Sequence, residues 1–277
     1  VIKKFKPQLV IGVGGYASGP TLKMANWLKI PTVIQEQNSF PGKTNRILSK
    51  SVSSICCAYE GVKQFFPPQK VIITGNPIRN NVIDILNKKQ EAIDFFGLDA
   101  SKKTVLIIGG SLGARSLNKC IRKNRKRLND SEIQIIWQCG KLYHASLSQL
   151  FKLGKYPNIF LHQFIDRMDL AYAAADYIIS RSGAISVSEL CAVGKPVILV
   201  PSPNVTDDHQ TKNAMELVEK GAALLVKDSE VKEHLIDKLF MISKNKELST
   251  TLGMEISKLS ITNASEKIVD VCENAYK

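Results

Sequence analysis

The sequence lacks the features of an integral membrane protein and of an exported, disulfide-bonded one. Its 277 residues contain no run of about 18 apolar residues, the length that a membrane-spanning helix needs. No basic and then apolar leader is present at the N-terminus, where Val1 runs into a cluster of lysines. The six cysteines form no C-x-x-C pair and have no histidine at metal-ligand spacing. These absences predict a cytoplasmic protein with buried, reduced thiols.

Motifs for metal-dependent nucleotide chemistry are also missing. No D-x-D occurs anywhere in the chain, so a bound sugar nucleotide would not depend on a metal held by carboxylates, and we predict no cofactor. No Gly-Lys-Ser/Thr follows a glycine-rich segment, which excludes a P-loop. Helix N-termini would then have to neutralise any diphosphate that the chain binds.

Acidic residues are scarce at the start of the chain. Residues 1–80 contain 11 basic residues against Glu36 and Glu60, a net charge of +9, whereas the remaining residues have a net charge of +4. Such asymmetry attracts nucleic acid, anionic lipid or phosphorylated substrates, although a generally lysine-rich surface is the alternative explanation. No basic motif interleaved with aromatic residues is present, so we predict no nucleic-acid partner and favour an anionic membrane surface or phosphate.

Short β-branched runs alternate with amphipathic stretches, a pattern that predicts βα units and parallel sheets. The predicted strands cover residues 8–13, 32–35, 54–58, 71–74, 104–108, 133–138, 159–162, 177–180, 196–200 and 222–226. A polar helical stretch from about 80 to 99 separates the first four strands from the last six. The fold class is therefore α/β, with two doubly wound Rossmann-like domains. We predict domains at 1–80 and 81–255 and a terminal helix at 256–277 that packs back on the first domain.

Two glycine-rich segments each lie between a predicted strand and a predicted helix. The first spans residues 12–20 and the second residues 109–114. Glycines allow sharp turns and bring backbone amides close to an anion, and the helix that follows adds partial positive charge. Each segment is consistent with a diphosphate site, but a βα turn that binds nothing explains the first equally well. The second does not satisfy G-x-G-x-x-G, which favours a mononucleotide over a dinucleotide.

Two further polar junctions follow later strands. In residues 180–190, Glu189 lies early in a predicted helix, where a carboxylate can accept hydrogen bonds from a ribose diol or simply favour the helix N-terminus. Residues 201–210 form a polar loop whose side chains can hydrogen-bond sugar hydroxyls. Asp207 and His209 suit catalysis, metal binding or helix capping, and the residues alone do not separate these roles.

These segments together resemble the MurG family of N-acetylglucosaminyltransferases over essentially the whole chain. The resemblance depends on GVGGYASGP at 12–20, PTVIQEQNSFPGKTNRILSK at 31–50, GNPIR at 75–79, GGSLGARSLN at 109–118, FID at 164–166, SRSGAISVSEL at 180–190 and DDHQTKNA at 207–214. It implies a GT-B fold and transfer of GlcNAc from UDP-GlcNAc, with inversion, to a lipid-linked muramoyl-pentapeptide in peptidoglycan synthesis. It also implies a peripheral location on the inner face of the cell membrane.

The resemblance implies roles for individual residues. Asn38 and Gln210 would contact the GlcNAc hydroxyls, Arg79 and Ser111 the nucleotide and its diphosphate, and the backbone of Ile165 the uracil. Glu189 would hold the ribose. The rest of the donor pocket would be lined by Ala184, Ile185, Ser186, Val187 and Ser188, and the loop facing the acceptor diphosphate would contain Gly14, Gly15 and Tyr16.

One part of the family pattern has no counterpart in this sequence. Family members begin with a strand and a glycine-rich loop that ends in a histidine, and neither precedes Val1. The resemblance therefore implies an incomplete first domain, and no catalytic residue is assigned. The alternatives are a noncatalytic UDP-sugar-binding fragment, another GT-B transferase, a UDP-GlcNAc epimerase or a nucleic-acid-binding protein.

Overall fold

A computed structural model describes residues 1–152 and 154–277. The chain divides into two compact units. Unit 1 comprises Val1–Ile78 and Ile261–Lys277, and unit 2 comprises Arg79–Ser260. Among the described residues, no helix is long and apolar enough to cross a membrane.

Unit 1 contains a parallel sheet of four strands in the order β1-β2-β3-β4. The strands are β1 (Val10–Gly12), β2 (Thr32–Glu36), β3 (Ser54–Cys57) and β4 (Val71–Ile73). The helices of this unit are α1 (Ile2–Phe5), α2 (Ser18–Trp27), α3 (Lys43–Leu48) and α13 (Ala264–Tyr276). The last of these helices packs its Val271 and Cys272 against Val33 and Cys56 of the sheet. The C-terminal segment thus covers one face of the first sheet.

Unit 2 contains a parallel sheet of six strands in the order β10-β9-β8-β5-β6-β7. Its strands are β5 (Lys103–Ile108), β6 (Ile133–Gln138), β7 (Ile159–His162), β8 (Tyr177–Ser180), β9 (Val197–Leu199) and β10 (Leu224–Leu225). Its helices are α4 (Asn80–Ile83), α5 (Lys89–Phe96), α6 (Arg115–Asn129), α7 (Lys141–Leu150), α8 (Met168–Ala174), α9 (Ala184–Val193), α10 (His209–Val218), α11 (Val231–Lys244) and α12 (Lys246–Ser257).

The main core of unit 2 lies where α6 and α11 pack on the sheet. Strand β6 is buried along its full length, and Trp137, its second-to-last residue, has no exposed surface. Its indole nitrogen donates to Asn118 Oδ1 on α6 at 3.1 Å, so the ring is both packed and fixed in orientation. Near-continuous apolar strands of this kind are expected in a parallel sheet covered on both faces.

All ten predicted strands are confirmed, with ends that differ by at most two residues. The predicted helical stretch at 80–99 is instead two short helices, α4 and α5. The chain turns between them at Asn87, whose φ is 60°, and a left-handed residue cannot continue a right-handed helix. All six cysteines are free and buried, which confirms their predicted burial.

The strand order of unit 2 predicts a crevice at the carboxyl ends of β5 and β8. From β5 the chain builds outward through β6 and β7, then returns to the other side of β5 for β8, β9 and β10. The connections therefore diverge between β5 and β8, which pair in register from Val105 with Tyr177 to Ile108 with Ser180. Ligands of open parallel sheets bind at the carboxyl ends of the strands at such a switch point.

Candidate functional site

The loops after β5 and β8 flank the switch point of unit 2. Helix α6 begins beyond the first loop with Ala114 as its N-cap, and α9 begins beyond the second with Gly183 as its N-cap. Neither N-cap side chain forms a capping hydrogen bond, and neither helix has an acidic residue in its first turn. Both helices thus present backbone amides and partial positive charge at the crevice, which suits a diphosphate.

The loop after β5 packs against the loop after β6 through glycines. A Cβ atom on Gly113 would lie 1.8 Å from the carbonyl oxygen of Cys139, and one on Gly140 would lie 2.3 Å from the backbone of Leu112. Both glycines have positive φ, 77° and 87° respectively. The close approach and the left-handed backbone both require glycine.

Gln138, the last residue of β6, links two of the loops at this edge. Its Nε2 donates to Gly110 O at 3.0 Å, and its Oε1 accepts from the amide of Ile165 at 2.9 Å. The Ile165 amide is therefore already hydrogen-bonded within the protein. The predicted uracil contact of this backbone would have to use the carbonyl oxygen, which can accept from N3–H of the base.

We expect Gln138→Leu to lower the free energy of unfolding by roughly 2–3 kcal/mol, since it leaves a buried amide and a carbonyl without their partner. UDP-GlcNAc affinity should fall by about 10-fold because the two loops lose their link. Urea unfolding and calorimetric titration measure the two effects.

Gln134→Leu is the matched control for this change. Gln134 lies near the opposite end of the same strand and links Asp99 and Thr104 by hydrogen bonds of 2.8–3.0 Å. This control should lose comparable stability but keep its UDP-GlcNAc affinity. Equal affinity losses in the two variants would show that Gln138 acts only through overall stability.

Glu189 lies in the middle of α9, with its carboxylate turned toward α8. Its Oε2 accepts from the hydroxyl of Tyr172 at 3.2 Å. Burial raises the pKa of the Glu189 carboxyl, and the Tyr172 hydrogen bond and the positive charge of Arg79 counter part of that rise. Burial also raises the pKa of Tyr172, with the Glu189 charge adding to the effect, so the phenol remains a donor. The carboxylate keeps further lone pairs for other hydroxyl donors.

Arg181 holds the ends of three elements together beneath the crevice. Its Nη1 donates to the carbonyls of Val200 and Pro201 at 3.0 Å each, and its Nη2 donates to Ser116 Oγ at 3.0 Å. Asp228 forms an ion pair with Arg181 at 2.6 Å and also accepts from Ser116. This network fixes the end of β9 and the first turn of α6 relative to β8.

Gln210 lies on α10 at the edge formed by β8 and β9. Its Oε1 accepts from the amides of Ser182 and Ser202 at 3.3 and 2.9 Å, and its carbonyl oxygen accepts from Ser182 Oγ at 2.8 Å. Both side-chain bonds use the oxygen, so the orientation directs Nε2 to other acceptors. The side chain is thereby held next to the α9 N-terminus.

The loop before Gln210 is backbone-strained. Asp207 and Asp208 both have φ of 53°, a left-handed conformation that is unusual for two consecutive non-glycine residues. Asp208 is the N-cap of α10, but its side chain forms no capping hydrogen bond and instead accepts from Thr211 Oγ1 at 2.7 Å. Strained loops of this kind concentrate at ligand sites.

Unit 1 has a second glycine loop after β1. Gly14 and Gly15 have φ of 89° and 75°, and Tyr16 is 84% exposed. Gln37, in the loop after β2, donates from Nε2 to Val13 O at 3.0 Å and so connects the two loops. The predicted acceptor-side residues therefore lie at the carboxyl edge of this sheet.

Asn38 of unit 1 is positioned by a buried carboxylate. Glu36, the last residue of β2, accepts from the Asn38 amide at 3.1 Å and from its side chain at 3.3 Å. The same carboxylate accepts from the Gly42 amide at 3.0 Å and from Asn45 Nδ2 at 2.8 Å. Four donors on one carboxylate stabilise the loop that presents Asn38.

Most predicted donor-site residues lie at one edge of unit 2. Ile165, Ala184, Ser186, Ser188, Glu189 and Gln210 follow strands of this sheet or lie in the helices after them. Ser111 and Ile185 are exposed there, whereas the Val187 side chain has no exposed surface and can contribute only backbone. Arg79 belongs to unit 2 as well, while Asn38, Gly14, Gly15 and Tyr16 belong to unit 1.

Sequence reasoning missed the residues that position this site, namely Gln138, Glu36, Tyr172 and Arg181. Gln138 and Glu36 share one signal that could have identified them, because each is a polar residue that ends an otherwise buried strand. Nothing in the sequence pattern singles out Tyr172, whereas Arg181 lies in the 180–190 motif, from which no role was predicted for it.

Comparison with protein families decides the class of this site. Residues 104–268 match the C-terminal domain of glycosyltransferase family 28, and residues 1–57 match its N-terminal domain. The chain belongs to glycosyltransferase family 28. It is therefore a glycosyltransferase, and the two Rossmann-like domains predicted from the sequence are confirmed.

Relatives within family 28 are close. The chain is 53% identical to the UDP-N-acetylglucosamine--N-acetylmuramyl-(pentapeptide) pyrophosphoryl-undecaprenol N-acetylglucosamine transferase of Flavobacterium psychrophilum over 270 residues, covering 98% of this chain and 73% of that protein. It is 49% identical to the protein of the same name from Parabacteroides distasonis, covering 97% of this chain and 73% of the relative.

Solved structures of similar fold include the crystal structure of Acinetobacter baumannii MurG. That structure is 30% identical, has a TM-score of 0.80, and is matched over 99% of this family 28 chain and 75% of its own. The UDP-GlcNAc 2-epimerase of Neisseria meningitidis bound to UDP-GlcNAc has a TM-score of 0.70 with 20% identity, covering 99% of this chain and 78% of that one. At that identity the second likeness concerns the fold alone.

Proposed function

We propose that this chain transfers N-acetylglucosamine from UDP-GlcNAc to the muramoyl 4-hydroxyl of a lipid-linked muramoyl-pentapeptide. The observation that carries this proposal is the grouping of two uncapped helix N-termini, the Ile165 backbone and the Glu189 carboxylate at the switch point of unit 2. These groups are complementary to the diphosphate, the uracil and the ribose of UDP-GlcNAc, respectively. The identity of the acceptor is inferred from the names of the relatives.

Each part of UDP-GlcNAc has a proposed partner in unit 2. The Ile165 carbonyl accepts from uracil N3–H, and the Glu189 carboxylate accepts from the ribose diol. Ser111, Arg79 and the first-turn amides of α6 and α9 bind the diphosphate. Gln210 donates from Nε2 to a GlcNAc hydroxyl, since its Oε1 is already engaged by two amides.

The reaction exchanges one bond at the anomeric carbon with inversion. The muramoyl O4 attacks that carbon as the bond to the β-phosphate oxygen breaks, the O4 proton leaves to a base, and UDP departs with the electron pair. Charge builds on the departing diphosphate, and the helix N-termini that bind it stabilise that charge. We assign no residue of this chain as the base.

Unit 1 is proposed to bind the lipid-linked acceptor at an anionic membrane surface, peripheral to the inner face. The loop of Gly14, Gly15 and Tyr16 would receive the acceptor diphosphate. Large apolar side chains such as Trp27 and Ile47 are 73% and 78% exposed on this strongly basic unit. Exposed apolar groups among lysines and arginines suit the surface of an anionic bilayer.

Calorimetric titration of the chain with UDP-GlcNAc, with UDP-glucose as the comparison, tests the donor site. We expect saturable binding that prefers UDP-GlcNAc. No binding by a chain shown to be folded would overturn the assignment. Binding without transfer to a soluble acceptor analogue would support the noncatalytic UDP-sugar-binding alternative.

A further inference from the structure

Helix α6 contains all of the excess positive charge of unit 2. The unit has 26 basic and 20 acidic residues, a net charge of +6. Seven of the basic residues lie in the 15 residues of α6, which contains no acidic residue. The rest of unit 2 thus has a net charge of −1. This concentration plays no part in the donor site described above.

The charges of α6 form one stripe on its solvent side, which we name the α6 basic face. It consists of Arg115, Lys119, Arg122, Lys123 and Lys126, all exposed. Their spacing of four, three, one and three residues confines them to about 100° of the helix circumference and about 16 Å of its length. Among the described residues, none of the five forms an ion pair, whereas Arg127 outside the stripe pairs with Asp237 at 2.7 Å.

The apolar side of α6 is fully used by the core. Leu117, Ile121 and Leu128 have no exposed surface and pack in the main cluster of unit 2. The α6 basic face itself contains no apolar or aromatic side chain. A stable protein interface needs such anchors at its centre, so a tightly packed protein partner does not suit this face.

A hollow of about 370 Å³ lies next to the α6 basic face, between α6 and α7. It is lined by Arg122, Arg125, Ser146, Gln149 and Leu150. Arg125 is fixed there, because its Nε donates to Tyr156 Oη at 2.8 Å and its Nη1 donates to Arg122 O at 2.8 Å. The hydroxyl of Ser146 already donates to Tyr143 O at 2.9 Å, so the donors that remain for a ligand are the two guanidinium groups and the Gln149 amide, a set that suits a phosphate group.

We propose that the α6 basic face and this hollow dock unit 2 on an anionic phospholipid surface, with a lipid phosphate in the hollow. A fluid layer of phosphate headgroups matches a diffuse basic stripe that has no apolar anchor. Nucleic acid would supply the same charge, but the stripe offers no aromatic side chain for stacking on bases. The proposal rests on the proposed function, because a lipid-linked acceptor requires the chain to work at a membrane.

Co-flotation with vesicles tests the proposal, using phosphatidylcholine alone and phosphatidylcholine with about 30% phosphatidylglycerol. The test variant replaces three lysines of the α6 basic face, Lys119→Gln, Lys123→Gln and Lys126→Gln. The control variant removes three exposed lysines elsewhere in unit 2, Lys232→Gln, Lys244→Gln and Lys246→Gln. A third variant, Arg122→Gln, alters the hollow. All proteins are also titrated with UDP-GlcNAc.

We expect the test variant to lose binding to the anionic vesicles by about 10- to 100-fold, with a smaller loss in Arg122→Gln and little change in the control. UDP-GlcNAc affinity should be unchanged in all three, so a failed donor site and a failed docking surface give different results. The proposal would be overturned if the test and control variants lost vesicle binding equally. It would also be overturned if the wild-type protein bound vesicles with and without phosphatidylglycerol equally well. The proposal would also be overturned if the three lysine substitutions abolished binding to a DNA duplex but left binding to the vesicles unchanged.

Discussion

Glu189→Gln is expected to weaken UDP-GlcNAc binding by about 10- to 100-fold while making the ligand-free protein more stable at neutral pH. The amide removes charge-assisted hydrogen bonds to the ribose diol, each of which contributes roughly 1.5–3 kcal/mol. It also removes a charge that burial disfavours, since burial raises the pKa of this carboxyl above its ordinary value of 4.5. One side chain would thus lower stability and support function.

The pH dependence of stability follows from the same rise in pKa. Because the folded protein holds the Glu189 proton more tightly than the unfolded chain does, this group stabilises the fold below pH 4.5, and that contribution is lost as pH rises through the folded-state pKa. The stability advantage of Glu189→Gln should therefore disappear as the pH is lowered toward 4.5. Thermal unfolding of both proteins between neutral and acidic pH measures this.

The affinity for UDP-GlcNAc should show the complementary behaviour. Ribose hydroxyls donate to the ionised carboxylate, so binding favours loss of the Glu189 proton. Wild-type affinity should fall as pH drops through the pKa of the free protein, and the affinity of Glu189→Gln should change less. Glu219→Gln, which neutralises an exposed acid of the same unit, is the control and should behave as wild type. Unchanged affinity in Glu189→Gln would remove the ribose role.

Gly113→Ala is expected to lower the free energy of unfolding by about 3 kcal/mol or more and to reduce nucleotide binding by at least about 10-fold. The added Cβ would lie 1.8 Å from Cys139 O and 2.7 Å from Cys139 C. Both are backbone atoms, so the loops after β5 and β6 must separate. The residue would also carry the strain of a φ of 77°.

Gly110→Ala separates these two causes. Gly110 has a similar φ of 85°, but a Cβ there meets nothing within 4 Å. This variant should lose only about 1 kcal/mol from backbone strain. Urea unfolding of both variants and calorimetric titration with UDP-GlcNAc measure the outcome. Equal losses of stability in the two variants would mean that the close approach of the loops contributes nothing.

The sequence by itself determined where the strands lie and which loops follow them. Near-continuous apolar runs such as those of β5 and β6 specify strands buried on both faces, since only parallel sheets covered by helices bury them that way. Glycines at 109–113 predicted a tight turn before a helix because few other residues adopt positive φ. The motifs also predicted the family, which the comparisons confirmed.

Only the tertiary structure decided which residues position the site. Gln138 joins Gly110 to Ile165, and Arg181 joins Ser116 to Asp228, across 27 to 65 residues of sequence. Local periodicity specifies whether a side chain is buried but not which distant group it meets. The order of the strands, which places β8 beside β5, brings these groups together. That order arises from packing of the whole sheet, so no single segment encodes it.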